Sequence, residues 1–420
     1  MKFKTEPVGH HLELRKGLSY KGSNLVDEAE VGLLTIDAFI TGGGYKRGSE
    51  KPYEGDYKSE HIAEPGDVLL AMTEQQDGLL ASPLKVPDDL GGMGELVFSL
   101  DVAKVIPTSG EVAPEYLFNF LRVPLNRRRA AYGDSGTTVQ RLPYDVIYEQ
   151  MIPVPSLVEQ DRINSFIATL DRKVELNTAM AATIEQIAKT IFRSWFIDFD
   201  PVKAKMAGKV PVGMDHSTAA LFPNSMEDSK FGPIPQGWRL KNLGEVCDIK
   251  QGRYLAPHQM TTSPVEFSDV PVIGGNGVLG YTNKSTFEHD VTLITCRGSK
   301  CGLLQWGKFP SWISNNAMAV TMKFSPEFGQ YLYWAFKHAD FDSVITGSAQ
   351  PQITITNLSL LELLVPSVEI LSLYSRIVNN FRSTLNQLEI ETCQLTEVRD
   401  SLLPRLISGE LQIPEEMMVS

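Results

Sequence analysis

Two stretches of this chain repeat each other at one fixed spacing, and that repeat limits what the chain can fold into. Met151-Ile152-Pro153-Val154-Pro155-Ser156 reappears as Glu362-Leu363-Leu364-Val365-Pro366-Ser367, 211 positions later. Gly136 to Arg141 precedes the first copy, and Gly347 to Gln352 precedes the second at the same spacing. The match then runs on without a gap. Ile163, Ile167, Leu170, Val174, Ile184, Ile191 and Trp195 correspond to Tyr374, Val378, Phe381, Leu385, Leu395, Leu402 and Leu406. Towards the N-terminus the spacing widens. Val8 to Gly17 parallels Leu243 to Gly252 at 235, and Gly66 to Leu70 parallels His289 to Leu293 at 223. The first copy therefore carries about 24 extra residues in its loops. The chain reads as globule, long helix, globule, long helix.

Pro155-Ser156-x-x-Glu159 is a helix start: the Ser156 hydroxyl is placed to accept from the N–H of Glu159, and the Glu159 carboxylate to reach back. Beyond it, positions 163, 167, 170, 174, 177, 181, 184, 188, 191 and 195 alternate in steps of four and three, which is a heptad seam. The second copy repeats the seam from Tyr374 to Leu406 and stops at Ser408-Gly409. A helix of about 40 residues is roughly 60 Å long. Its apolar stripe needs a partner. The economical solution is that the two helices pack on each other, antiparallel, as a coiled coil with a pseudo-twofold axis. Asn177 and Thr392 are polar seam positions, suited to fixing register or to a partly exposed site.

Residues 1–150 and 208–365 mix short apolar runs with Gly and Pro. Asp67 to Met72, Leu96 to Leu100 and Val291 to Thr295 read as strands. Pro114 to Leu121 and Phe328 to Phe336 read as short helices. The expected class is α+β. From Val202 to Pro233 the chain is irregular and proline-punctuated, and reads as a linker.

The four cysteines, Cys247, Cys296, Cys301 and Cys393, are irregularly spaced, which suits a reducing compartment. Cys296 and Cys301 have no second Cys/His pair at finger spacing, so no metal is expected. The N-terminus carries no apolar run and no stretch is long enough to span a bilayer, so a cytoplasmic chain with no membrane partner is expected. Catalytic motifs are missing: no phosphate-binding loop, no G-x-G-x-x-G, no H-E-x-x-H, no G-x-S-x-G, and no Asn-Pro-Pro-Tyr or Asp-Pro-Pro-Tyr run for amino-methyl transfer. The seven His show no ligand spacing. A binding or scaffolding role is favoured over an enzyme.

Several segments resemble specificity subunits of type I restriction-modification systems. Pro235-Gln236-Gly237-Trp238 to Val246 resembles the usual opening of a recognition domain. Val272 to Tyr281, Arg297-Gly298-Ser299 and Gly347 to Ile353 also resemble the family, as do the helix ends Phe192 to Phe199 and Ser401 to Leu411. The first globule departs from it: a Gly-Trp opening is lacking, and its loop reads Thr137-Thr138-Val139-Gln140.

The resemblance implies two target-recognition domains, at 1–150 and 208–365. A central conserved helix and linker would occupy 151–207, and a distal conserved helix and tail 366–420. Two long antiparallel coiled-coil helices would separate the domains. Each domain would read one half of a bipartite double-stranded DNA target, the helices would set the spacing, and the helices would dock modification subunits, two of them. Those subunits would hold S-adenosylmethionine; restriction subunits would bring ATP and Mg. No cofactor is expected in this chain. A methyltransferase with degenerate motifs and a two-headed adaptor remain alternatives.

Base and phosphate contacts need Arg, Lys, Gln or Asn. The candidates are Lys46, Arg47, Arg127, Arg128, Arg129, Gln140 and Arg141 in the first globule. In the second they are Lys250, Arg253, Lys284, Arg297, Lys300, Gln350 and Gln352. The net charge of −12 argues at first sight against DNA. Residues 1–150 hold 16 basic and 23 acidic residues, and 208–365 hold 12 and 13. Weak binding by the isolated chain is the expectation, with partners supplying much of the cationic surface.

Overall fold

The computed structural model describes residues 3–73, 79–123, 126, 141–230, 232–287, 289–347 and 350–414. They form two compact units, Met1–Thr178 with Ile390–Ser420, and Ala179–Glu389.

The first unit contains β1 (Lys4–Pro7), β2 (Leu12–Lys16), β3 (Val31–Leu34), β4 (Lys51–Pro52), β5 (Val68–Ala71), β6 (Pro83–Lys85), β7 (Glu95–Phe98) and β8 (Val102–Pro107). Helices α1 (Pro114–Arg122) and α2 (Tyr144–Tyr148) and strand β9 (Met151–Val154) follow, then the long helix α3 (Leu157–Phe196). One sheet has the order β2-β8-β5-β6, another β4-β3-β7, and β1 pairs with β9.

The second unit contains α4 (Asp200–Met206), α5 (His216–Leu221), β10 (Met226–Glu227), β11 (Ile234–Pro235), β12 (Arg239–Asn242), α6 (Leu243–Val246), β13 (Cys247–Gln251), β14 (Val270–Gly274) and β15 (Gly277–Thr282). Next come β16 (Val291–Thr295), β17 (Leu304–Gly307), β18 (Trp312–Ile313), β19 (Ala317–Met322), α7 (Gly329–Lys337), α8 (Ile355–Ser359), β20 (Glu362–Val365) and the second long helix α9 (Val368–Ile407). Its sheets are β13-β19-β16-β17, β15-β14-β18, β12-β20 and β10-β11. The class is α+β with an internal repeat.

The repeat is one of hydrogen-bond register. Lys4 pairs with Val154 as Arg239 pairs with Val365, and Leu12 with Pro107 as Cys247 with Met322. Val68 pairs with Val105 as Thr292 pairs with Val320. That last ladder places the β5/β16 correspondence at 224, one residue beyond the spacing inferred from sequence. Strands β5 and β16 are buried throughout, which is why they read as unbroken apolar runs.

Both long helices have 40 residues and both pass through both units. In the first unit they run antiparallel: Asn177 Nδ2 donates to Glu391 Oε2 at 2.8 Å, while Asp171 meets Arg399 at 3.0 Å. In the second unit they are also antiparallel, with Phe192 and Trp195 against Tyr374 at 6.0 and 6.1 Å between ring centroids. Along the seam, Ile163, Ile167, Trp195, Tyr374, Val378 and Leu406 are buried. Leu170, Val174, Ile184, Ile191, Phe381, Leu385, Leu395 and Leu402 are half-buried. Ser156 caps α3, its Oγ accepting from Glu159 N at 3.3 Å; the Glu159 carboxylate lies 3.5 Å from Arg162.

Each globular core is closed by pieces of both helices. In the first unit Ile163 and Ile167 of α3, together with Leu403, Leu406 and Ile407 of α9, pack on Tyr116, Phe120 and Ile152. In the second, Phe192, Trp195 and Phe196 of α3 and Ile370, Tyr374 and Val378 of α9 pack on Trp238, Tyr331 and Phe336. The segment expected to be an irregular linker is partly folded. Val202 and Phe222 are buried in this core, with Phe222 edge-on to Trp195 at 5.1 Å.

The repeat breaks at one buried charge cluster. Arg122 Nη1 and Nη2 donate to Asp171 at 2.6 and 2.9 Å, and Arg399 Nη1 donates to it at 3.0 Å. Both arginines are buried. Burial pushes the Asp171 carboxyl up, but the Arg122 and Arg399 guanidiniums outweigh it and hold its pKa below the usual carboxylate value. A carboxylate depressed on folding stabilises above its unfolded pKa, and that contribution is lost as pH falls through the folded value. Asp171→Asn is expected to cost about 3 kcal/mol at neutral pH, because the buried Arg122 loses its bidentate carboxylate and Arg399 is left with Asp400, 2.8 Å away, as its carboxylate partner. Urea unfolding at neutral pH, repeated down the acid limb, should show that cost, with a shallower acid decline in the variant.

Candidate nucleic-acid interface

At one end of each large sheet, four polypeptide segments converge in the same way in both units. Gly17 N donates to Val102 O at 3.2 Å, and Gly252 N to Ala317 O at 2.9 Å. Leu18 N donates to Phe98 O, and Arg253 N to Ile313 O, both at 2.9 Å. Met72 N donates to Asp101 O, and Cys296 N to Asn316 O, again both at 2.9 Å. Leu142 N donates to Met72 O at 2.8 Å, and Ile353 N to Cys296 O at 2.9 Å. Thr73 bridges Arg141 as Arg297 bridges Gln352. The backbone amides are spent on this frame, so the side chains are what differ between the two ends.

In the first unit the frame carries Leu18, Thr73, Leu100, Asp101 and Arg141. In the second it carries Arg253, Arg297, Asn315, Asn316 and Gln352. Arg141 is exposed, with Nη2 3.5 Å from Asp101 Oδ1. Arg253, Arg297 and Gln352 are exposed. Gln251 Nε2 donates to Asn315 O at 2.9 Å and holds that turn. The hairpin tip joins this end, because Thr295 Oγ1 donates to Gly275 O at 2.7 Å.

The remaining candidates fall in several places. Gln350 and Lys300 are exposed on the two loops that meet here, where Gly298 N donates to Pro351 O at 3.2 Å. Lys250 is exposed on β13, and Lys284 is exposed in the loop after β15. Lys46 and Arg47 lie on a loop by the smaller sheet, with Arg47 Nη1 2.9 Å from Asp89. No described bond joins Lys250, Lys284, Lys46 or Arg47 to the frame. Arg127, Arg128, Arg129 and Gln140 lie outside the described residues, as does the Gly136 loop.

Asp101, Asn315 and Asn316 were missed by a search for cations. Each precedes a buried strand, where a short polar residue reads as turn chemistry. The register of β8 and β19 reveals them. Another arrangement invisible to spacing is Glu6, His11 and Glu111, whose ligand atoms lie within 4.8 Å of one another. Lys4 pairs with Glu6, and His11 Nδ1 lies 2.8 Å from Ser109 Oγ. The cysteines are free thiols; burial raises the pKa of Cys296 and Cys301 and takes Cys247 up to about 12, which keeps them protonated and poor ligands. Among the described residues no helix is long and apolar enough to cross a membrane.

Residues 56–186 and 235–398 match the type I restriction modification DNA specificity domain, and the chain belongs to that family. It is 26% identical over 411 residues to the HindI specificity subunit of Haemophilus influenzae, covering 82% of this chain and 86% of that one. It is 22% identical over 330 residues to the MjaIX specificity subunit of Methanocaldococcus jannaschii, covering 74% and 72%. Its fold is similar to the crystal structure of a type I restriction-modification S subunit from M. genitalium, with TM-score 0.57 and 15% identity over 97% of this chain and 96% of that one. The chain is a DNA specificity subunit of the type I class, a non-catalytic role.

The frame also makes a stability prediction. A Cβ on Gly252 would lie 2.1 Å from Ser314 O, and one on Gly17 would lie 2.2 Å from Ser99 O. Backbone would have to move, so Gly252→Ala should cost about 1–3 kcal/mol. It should also expose the Gly252 amide. Hydrogen exchange, read alongside the melting temperature, should show loss of protection at residues 252–253 and 313–317 together.

Proposed function

We propose that residues 1–150 and 208–365 act as separate target-recognition domains, each reading one half of a bipartite duplex at the frame described above. The observation that carries this is the duplicated frame with two different sets of side chains: Arg141 and Asp101 beside the buried Leu18 and Thr73 in the first unit, and the exposed Arg253, Arg297, Asn316 and Gln352 in the second. Identical backbone bonding with unlike tips suits two unlike half-sites. Arg141, Arg253, Arg297, Gln350 and Gln352 are the base-facing candidates, with Lys46, Arg47, Lys250, Lys284 and Lys300 on phosphates.

The two helices, in residues 151–207 and 366–420, set the distance between the half-sites and dock the partners. Support comes from their length and from apolar side chains left exposed along them: Leu176, Met180 and Ile187 on α3, Ile390 and Val398 on α9. Such residues suit coverage by another protein. The partners are two modification subunits, which hold S-adenosylmethionine, and restriction subunits, which bring ATP and Mg. The chain works in the cytoplasm, as its four free thiols suggest.

Removing one helical turn from both α3 and α9 shortens the rod by about 5.4 Å, near one to two base-pair steps. Methylation-site sequencing of a host carrying the variant should show the same half-sites with a gap shorter by one or two base pairs. An unchanged gap would end the ruler reading. A salt titration of the isolated chain against its complex with the modification subunits should show weaker binding and a smaller salt slope for the chain alone. Equal slopes would remove the assignment of cationic surface to the partners.

A further inference from the structure

We propose that one position of the frame, Arg141 in the first unit and Gln352 in the second, selects the base pair at equivalent places in the two half-sites: G·C in one and A·T in the other. The proposal rests on the reading of both ends as DNA-recognition sites.

Equivalence is set by bonding, not by alignment alone. Arg141 and Gln352 each bridge the residue just beyond the central strand, Thr73 and Arg297. Each is followed by a residue whose amide donates to the same carbonyl, that of Met72 or Cys296. Arg141 lies 3.5 Å from Asp101, the residue immediately before β8, and Asn316 holds the equivalent place before β19. Gln352 has its own backbone amide and carbonyl bound to Thr346 at 2.8 and 2.9 Å, so its side chain alone is left to make contacts.

The chemistry at this shared place differs. A guanidinium only donates, so it matches an edge with two acceptors, which in the major groove is guanine O6 and N7. Asp101 lies within 3.5 Å of Arg141, orients the fork and offers an acceptor for the cytosine N4 amino group. A primary amide donates and accepts at once. It matches adenine, which presents N7 as acceptor and N6 as donor. In the second unit the residues at both equivalent places, Asn316 and Gln352, are amides. Arg297 stands across the bridge where the first unit has Thr73, so a cation there addresses a neighbouring base or a phosphate, not the position that Gln352 reads.

The test uses the full chain assembled with its modification subunit and a duplex library with two randomised half-sites. The wild-type complex is expected to enrich one sequence per half. Arg141→Gln should move one base pair of one half from G·C towards A·T, by about ten-fold or more in preference, and leave the other half as it was. Gln352→Arg should do the reverse in the other half. Arg141→Lys keeps the charge without the fork, and should lose discrimination at that base pair while holding most of the affinity. Co-purification with the modification subunit shows that each variant folds. Unchanged base preferences in variants of a selective complex would overturn the assignment of this position and leave the DNA reading intact. A wild-type complex that enriches no sequence would overturn both.

Discussion

The structure depends on where two apolar stripes of 40 residues find cover. Neither globular region buries a whole stripe. The first turns of each long helix pack on the globule that precedes them, and the last turns complete the core of the other unit. Leu403, Leu406 and Ile407 close the first core; Phe192, Trp195 and Phe196 close the second. Full burial of one such side chain stabilises by about 1.5–3 kcal/mol, so each unit draws several kcal/mol from a helix that begins in the other. Between the packed ends Leu170, Val174, Ile184, Phe381, Leu385 and Leu395 are half-buried, while Asn177 and Leu388 are buried. Folding either repeat by itself would leave its core open.

The helices were the most legible part of the sequence, because a sustained period of seven fits little besides a long paired helix. Both helices begin where the Ser156 and Ser367 caps stand and end together at equivalent residues. Strands were legible only where burial on both faces makes an unbroken apolar run, as in β5 and β16. Pairing was not, since register comes from hydrogen bonds between distant segments; the one-residue slip at β5/β16 is the result. The stretch around Val202 to Phe222 was misread because its prolines advertise irregularity, while two buried side chains decide its fate. The Arg122–Asp171–Arg399 cluster gave no warning. Its members lie on three elements, and the equivalent positions in the second copy, Lys337, Arg382 and Ala188, include no carboxylate.

At the recognition frame, stability and specificity fall on different atoms. Backbone amides and carbonyls hold the four segments together, and Gly17 and Gly252 permit the close approach that this bonding requires. None of those bonds depends on what side chain stands at 73, 101 or 141, or at 297, 316 or 352. Exposed substitutions there cost little folding free energy. A frame built this way tolerates different side chains without endangering the core, and the two ends of the chain keep the same backbone bonding with different side chains at these positions.

The acid-rich composition acquires a physical meaning from the same division. Arg122 and Arg399 are buried counter-ions of Asp171 and unavailable to a phosphate. Lys51 is paired with Asp37, Lys104 with Asp67, Arg47 with Asp89 and Lys308 with Glu389. Many cations are thus already committed to carboxylates of the same unit. The second frame sets the amides Asn315, Asn316 and Gln352 beside Arg253 and Arg297; amides discriminate bases by direction of hydrogen bonding and contribute little long-range attraction. The −12 of the chain accords with a specificity element that works inside a larger complex.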